Sequence, residues 1–349
     1  MKKFETGNLT VPLHLCRANM NALKILVRLP NWLGDLVMAT AFMQQLQEQF
    51  PEATISVIVK KGIHELLPFL PATQHQFVFD KTVYSGVAGA WRFGRELKKK
   101  EQFDLFFCLP DSFSSGVIGW ASGAKKRIGF KSEWRSFLFT HTYAKPEGLH
   151  RADEYRSLLE KFTGRKSMHG FIKLKHSIQK DTYIVVNINS EASSRRLTEQ
   201  KAIELLSLLQ KTIPEKIVLI GAPKEAGFVY EVLKKLPGEN IESKAGKTTL
   251  PQLVSLLASA KLLLTTDSGP AHLANALDTF TVVLFGAGNE LKTAPYNENL
   301  RSIIRLNQLS CEPCEKNVCV RYGTPQCLER LDAGLIVREV AAHLKSGSL

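Results

Sequence analysis

Two short segments of this 349-residue chain bring together residue types that can do chemistry at the edge of a sheet. In Arg28-Leu-Pro-Asn-Trp-Leu-Gly34-Asp35 a hydrophobic strand runs into a glycine and a carboxylate at the start of a helix. A carboxylate in that place faces the crevice where open parallel sheets bind ligands, and can take a proton there. The plainer alternative is a helix cap that gains from the macrodipole. The second segment is Leu262-Leu-Leu-Thr-Thr-Asp267-Ser268-Gly269-Pro270-Ala271-His272, in which a strand enters a turn whose proline suits the first helical position. The free N–H groups of such a helix start are a phosphate site. The Ser268 hydroxyl, the Gly269 and Ala271 amides and His272 are the expected donors, and an ordinary helix capped by Asp267 is the alternative. A third group, Cys311, Cys314, Cys319 and Cys327, has the spacing Cys-x2-Cys-x4-Cys-x7-Cys. It offers thiolates to a structural zinc or iron, with reduced structural cysteines as the rival. Cys108 lies on an apolar strand and reads as core, and Cys16 falls in an N-terminal stretch without pattern.

These residues need scaffolding, and the pattern of the chain supplies it twice. Strand-like Lys24–Leu29, a helix from Gly34 with apolar residues Leu36, Ala39, Met43, Leu46 and Phe50, strand-like Thr54–Lys60, a helix over Gly86–Lys100 and strand-like Phe103–Leu109 alternate as βαβ units. After a polar, basic stretch near Lys161–Ser177 the alternation restarts. It runs through Tyr183–Ile188, a helix Glu199–Lys211, Lys216–Gly221, a helix Lys224–Leu236, a helix after Thr249, Lys261–Thr266, a helix Gly269–Leu277 and Thr281–Phe285. The prediction is an α/β protein of two Rossmann-like halves with parallel sheets facing a central cleft. The expected boundaries are an N-terminal extension at 1–23, a first domain at 24–170 and a second at 171–330. A closing helix in 331–349, centred on Leu335–Leu344, is expected to pack back on the first domain. Gly286-Ala287-Gly288 after the last strand is a turn flexible enough to approach a nucleotide.

Composition narrows the class. Hydrophobic residues make up 44%, enough for a large core, and the formal charge of +13 implies an anionic partner. Runs such as Lys98-Lys99-Lys100 come without any nucleic-acid module, so phosphate or a membrane surface is preferred to nucleic acid. No stretch reads as a signal peptide or membrane span, and the expected location is cytoplasmic. The first strand turn has no Gly-x-Gly-x-x-Gly, which disfavours a dinucleotide-dependent dehydrogenase.

Gly34-Asp35 and Asp267-Ser268-Gly269-Pro270-Ala271-His272 together resemble the signatures of the ADP-heptose:lipopolysaccharide heptosyltransferases, glycosyltransferase family 9, with the GT-B fold. The likeness runs from about Lys24 to the end, in the same order and spacing. Trp32, Phe113-Ser114-Ser115, Arg127-Ile128-Gly129 and the late cysteines look most like the heptosyltransferase II branch, which adds the second inner-core heptose. The resemblance implies that Asp35 is the general base of an inverting transfer from ADP-heptose, with no metal needed. It implies a donor site of Arg195, Arg196, Glu225, Asp267, Ser268, Gly269, His272 and Gly286. It further implies an acceptor site of Asn31, Trp32, Gly34, Lys60 and Arg127 for the phosphorylated Kdo-lipid A core, at the inner face of the inner membrane. Lys61, Arg92, Arg95, Lys125 and Lys126 add positive charge to the same half. This chain departs from the family pattern at Ser193-Ser194-Arg195-Arg196-Leu197, where Arg195 and Leu197 stand for the usual lysine and tryptophan. It departs again at Asn187-Ile188-Asn189, where a Pro-Gly-Ala-like turn is common. Glu225 follows Gly221-Ala222-Pro223-Lys224 and reads equally as a polar first turn. A homologue that binds nucleotide without transferring sugar, or that serves another sugar or a protein acceptor, is the competing expectation.

Overall fold

The computed structural model describes residues 22–71, 73–166, 170–176, 179–236, 238 and 240–346. All but the last two residues of the expected extension 1–23, Cys16 among them, lie outside the described residues. The first sheet contains β1 (Lys24–Arg28), β2 (Thr54–Lys60), β3 (His75–Phe79), β4 (Leu105–Cys108), β5 (Lys126–Phe130) and β6 (His141–Tyr143) in the order β3-β2-β1-β4-β5-β6. The second contains β7 (Tyr183–Asn187), β8 (Lys216–Leu219), β9 (Ile241–Ser243), β10 (Leu262–Thr266), β11 (Phe280–Phe285) and β12 (Arg301–Arg305) in the order β12-β11-β10-β7-β8-β9. Every pairing is parallel.

Helices cover both faces, which is why the central strands are apolar throughout: Ile25, Leu26 and Val27 of β1 are fully buried. In chain order the helices are α1 (Leu33–Met38), α2 (Thr40–Gln49), α3 (Gly86–Lys100), α4 (Phe113–Ala121), α5 (Arg151–Thr163) and α6 (Glu199–Thr212). They continue with α7 (Ala226–Lys234), α8 (Leu250–Ser259), α9 (Gly269–Ala276), α10 (Glu290–Thr293), α11 (Gln326–Glu329) and α12 (Ala333–Ser346). In each sheet the chain enters at the centre, winds outward and then restarts on the other side. The direction therefore reverses between β1 and β4 and between β7 and β10, the switch points at which such sheets bind ligands.

Three expectations need correction. The helix after Gly34 is two helices: Thr40 Oγ1 donates to Val37 O at 2.7 Å, a back-bond that bends a helix, and the break falls at Ala39. The closing helix α12 does not pack on the first half; Ile336, Val337, Val340 and Leu344 join the core of the second, against α6 and β10. The basic stretch near Lys161–Ser177 is only partly a linker, because α5 continues to Thr163 while Ile172 and Leu174 are buried to 1%. Asn297 pairs with Ile172 as a strand would, its Oδ1 accepting from Ile172 N at 2.9 Å and its Nδ2 donating to Ile172 O at 2.8 Å. Leu174 N then donates to Ala276 O, and Lys175 N to Phe69 O in the first half.

Candidate active site

The two switch points face each other across the cleft, where α1 packs against α9. The contact is made by glycines. A Cβ at Gly34 would lie 2.6 Å from Cδ2 of His272, and one at Gly269 would lie 2.9 Å from Cβ of Leu33. Gly34 is thus required by the approach of the opposite half. The N-terminal ends of both helices meet at this contact, one bearing Asp35 and the other following Asp267-Ser268.

Asp35 occupies the third position of α1, in the first turn where a carboxylate gains from the macrodipole, and its side chain meets Tyr155 and Arg151 rather than capping the helix. Tyr155 donates its hydroxyl to Asp35 Oδ1 at 3.4 Å, and Arg151 Nε lies 3.8 Å from the same oxygen, both from α5. Burial pushes the Asp35 carboxyl above its ordinary value, with Arg151 and Tyr155 pulling the other way. A carboxylate so placed is a better proton acceptor than one in water. Arg151 also binds Glu154 at 2.8 Å, Glu154 binds Lys145 at 3.0 Å, and Lys145 binds Asp111 at 2.7 Å, so a chain of alternating charges leads from Asp35 to the loop after β4.

On the opposite wall Ser268 is the N-cap residue of α9. Its hydroxyl accepts from Asn187 Nδ2 at 2.9 Å and donates to Thr266 O at 3.1 Å. The Ala271 amide already donates to Ser268 O at 3.1 Å, so it is not the free donor expected. Asp267 does not cap the helix either. It is buried to 4%, faces Arg195 Nη1 at 3.4 Å, and burial raises its carboxyl to about 6 against the pull of Arg195 and Arg305. His272 is a neutral buried side chain rather than a cation, its imidazole pushed down to about 3 by burial, and its Nδ1 has no hydrogen-bond partner.

The remaining expected residues divide. Arg195 faces the pocket, whereas Arg196 is committed to Ser190 O (3.0 Å from Nη2) and to the ring of Phe228. Glu225 accepts from Ala222 N at 2.7 Å and is buried, which is the first-turn reading. Gly286 is a glycine because a Cβ would meet Cys327 Sγ at 2.7 Å, and it is Gly288 that abuts Asp267. Trp32 is 57% exposed with Lys60 Nζ 5.6 Å from its ring centroid, at the carboxyl ends of β1 and β2. Asn31 accepts from the buried Arg28 at 2.6 Å. Arg127 is misplaced as an acceptor residue: it is the second residue of β5, away from the carboxyl ends of the strands, and its guanidinium is spent on Leu138 O and Ala124 O. Leu197 fills the second core. Tyr155, Arg151 and Arg305 escaped the sequence reading, and Asn187 enters it only as part of a turn that departs from the family pattern. Arg305 ties down the glycine turn through Gly286 O (2.8 Å), Gly288 O and Glu290.

The four late cysteines are free thiols. Among the described residues no group of three or more His, Cys, Asp or Glu side chains could hold a metal ion, so the residues do not fit the zinc or iron suggested by their spacing.

Two six-stranded parallel sheets, each with a switch point and joined through the α1–α9 contact, make a protein of the two-Rossmann-domain type. The family model of glycosyltransferase family 9 (heptosyltransferase) matches residues 90–323, and the chain belongs to that family. It is 27% identical over 310 residues to the lipopolysaccharide core heptosyltransferase OpsX of Haemophilus influenzae, covering 84% of this chain and 85% of that protein. It is 24% identical to lipooligosaccharide heptosyltransferase 2 of Campylobacter jejuni, covering 94% and 100%. The solved structure of Escherichia coli ADP-heptose lipopolysaccharide heptosyltransferase II superimposes with a TM-score of 0.79 at 23% identity, over 94% of this chain and all of that one. The fold is GT-B, and the protein is a glycosyltransferase.

Proposed function

We propose that this enzyme transfers heptose from ADP-heptose to the inner core of lipopolysaccharide, the second heptose being the preferred assignment, with inversion at the anomeric carbon. The reading is supported by the contact of α1 with α9, the two helices whose first turns carry Asp35 and follow Ser268. Asp35 takes the proton of the acceptor hydroxyl as its oxygen bonds to the anomeric carbon. The bond from that carbon to the donor phosphate breaks, and the electron pair leaves on ADP. The growing charge meets the α9 N-terminus and Arg195, with the Ser268 hydroxyl available once it turns from Thr266 O, a set of dipoles and one cation that works without a metal. Trp32 and Lys60 lie on the acceptor side. The relatives named as core heptosyltransferases support both substrates, and a lipid-anchored core acceptor places the work at the cytoplasmic face of the inner membrane.

The test is release of ADP from ADP-heptose with and without a heptose-deficient core acceptor, for the wild type and Asp35→Ala. Acceptor-dependent release that disappears in the variant supports transfer and base together. Tight ADP binding without release on any core acceptor would favour a nucleotide-binding homologue that serves another acceptor or none.

A further inference from the structure

The outer face of the first half carries an apolar groove that none of the described residues covers. Val87 and Trp91 of α3, Phe113 and Trp120 of α4, and Phe137 from the loop before β6 line a space of about 700 Å³. Their exposures run from 39% for Phe113 to 73% for Phe137, and Trp134 in the same loop is 80% exposed. The face cannot fold in on itself, because α3 and α4 are already in backbone contact: a Cβ at Gly94 would lie 2.6 Å from Ile118 O. Large aromatic side chains held out on a rigid surface mark a place where something apolar docks.

The rim of this face is basic. Arg95 lies 5.8 Å from the ring centroid of Trp91, the Lys98 stem lies against Gly123 beyond Trp120, and Lys99 and Lys100 are exposed in the last turn of α3. The nearby carboxylates are mostly engaged: Glu96 accepts from the Tyr84 hydroxyl at 2.6 Å, and Asp111 holds Arg135 and Lys145, while Glu133 is exposed beside Trp134. Half-exposed tryptophans ringed by lysine and arginine are the composition of a surface that sits among lipid headgroups. A second copy of the chain is the poorer occupant, since it would set one basic rim against another on molecules that each carry +13.

We infer that the α3–α4 face seats this enzyme on an anionic lipid bilayer, the aromatic rings entering the headgroup layer and the cations meeting lipid phosphates. The purpose of such docking, though not the docking itself, rests on the proposed lipid-anchored acceptor. The face adjoins the active cleft, because Phe113 lies two residues beyond Asp111, where the charge chain from Asp35 ends. A sugar on a lipid held in that bilayer would be offered to the cleft from its edge.

The experiment is flotation of the full chain with vesicles of phosphatidylethanolamine and phosphatidylglycerol, against vesicles of phosphatidylcholine alone. Trp91→Ala with Trp120→Ala, and separately Lys98→Glu, are compared with the wild type after circular dichroism confirms their fold. The wild type floats with the anionic vesicles only and less so as salt rises, and each variant lowers the bound fraction about tenfold. Sugar transfer to a soluble, delipidated core oligosaccharide stays at the wild-type rate in the tryptophan variant. Wild-type protein that stays unbound, variants that float like the wild type, or a dimer in sedimentation that the tryptophan variant dissolves would each overturn the inference. Flotation that depends on the tryptophans, in a protein that transfers to neither acceptor, would uphold the docking face and remove the acceptor reading instead.

Discussion

Asp35 is held by two groups that oppose the effect of its burial, and each makes a separate prediction. Replacing it with asparagine keeps the volume and removes the proton acceptor. Turnover should fall by about 10²–10⁴-fold, the usual worth of a positioned base, while ADP affinity by calorimetry stays within a few-fold. The pH profile follows from the direction of its shift. The base works only when ionised, so kcat/KM should rise with pH through a value above the ordinary carboxylate range. Arg151 favours the ionised form from 3.8 Å, and removing it also takes one cation from Glu154, which keeps Lys145 at 3.0 Å. Arg151→Met should therefore move the acid limb of kcat/KM to higher pH and leave the alkaline limb in place; an unmoved acid limb would assign that titration to another group. At this scale Asp35 and Ser268 stood out because strand ends and helix starts leave a local mark, and Arg195 stood out through the family pattern. Tyr155 and Arg305 left no mark, and Asn187 none of its bond to Ser268, since each meets a partner more than ten residues away. The spacing of the cysteines suggested a ligand set, but spacing along a chain says nothing of convergence in space.

Most elements announced themselves by period, and β2 and α3 match their expected limits because buried β-branched runs and a 3.6-residue stripe are strong signals. The short outer strands β3, β6 and β9 did not. They are partly exposed, so their sequences lack the apolar run that marks a central strand. The placement of α12 shows another limit: an amphipathic helix reveals which face it buries but not which neighbour receives it. The contact of α1 with α9 is the element-level device that closes the site, and it depends on Gly34. In Gly34→Ala the new methyl would lie 2.6 Å from the His272 ring, so the two helices must part or the ring must turn. The expected cost is about 1–3 kcal/mol in stability, with a fall in kcat larger than the fall in donor affinity. His272→Ala opens room for that methyl. The double variant should be more stable than the sum of the single changes predicts, a coupling read from thermal or urea unfolding. Strict additivity would mean that the helices do not meet in the working enzyme.

Across the whole molecule, catalysis needs two halves that close on one another without separating, and a short list of buried polar contacts meets that need. His150 Nε2 donates to Ala294 O at 2.8 Å while its Nδ1 accepts from Ala152 N, so a neutral ring at the head of α5 joins the first half to the second. Tyr296 reaches back from the second half to Asp153 at 2.8 Å. Asn297 is the strongest of these ties. Buried to 3%, it answers both backbone groups of Ile172 in the connecting segment, and it exchanges further bonds with Asn275 at the end of α9. It therefore links the connector to the helix that carries the anion site. Asn297→Ala would leave the Ile172 N–H and C=O without partners in a dry seam, at about 1–3 kcal/mol for each unsatisfied group. Stability should drop by more than a surface asparagine would explain, and because the lost bonds anchor the second half to the connector, which reaches Phe69 of the first half through Lys175, the single urea transition should broaden or split as the halves unfold apart. Measured by circular dichroism together with tryptophan fluorescence, the two probes should cease to coincide, since the four tryptophans, Trp32, Trp91, Trp120 and Trp134, all lie in the first half. Coincident transitions at an unchanged midpoint would mean that the halves are coupled without Asn297, through His150, Tyr296 and the apolar seam of Leu33, Leu273 and Leu277.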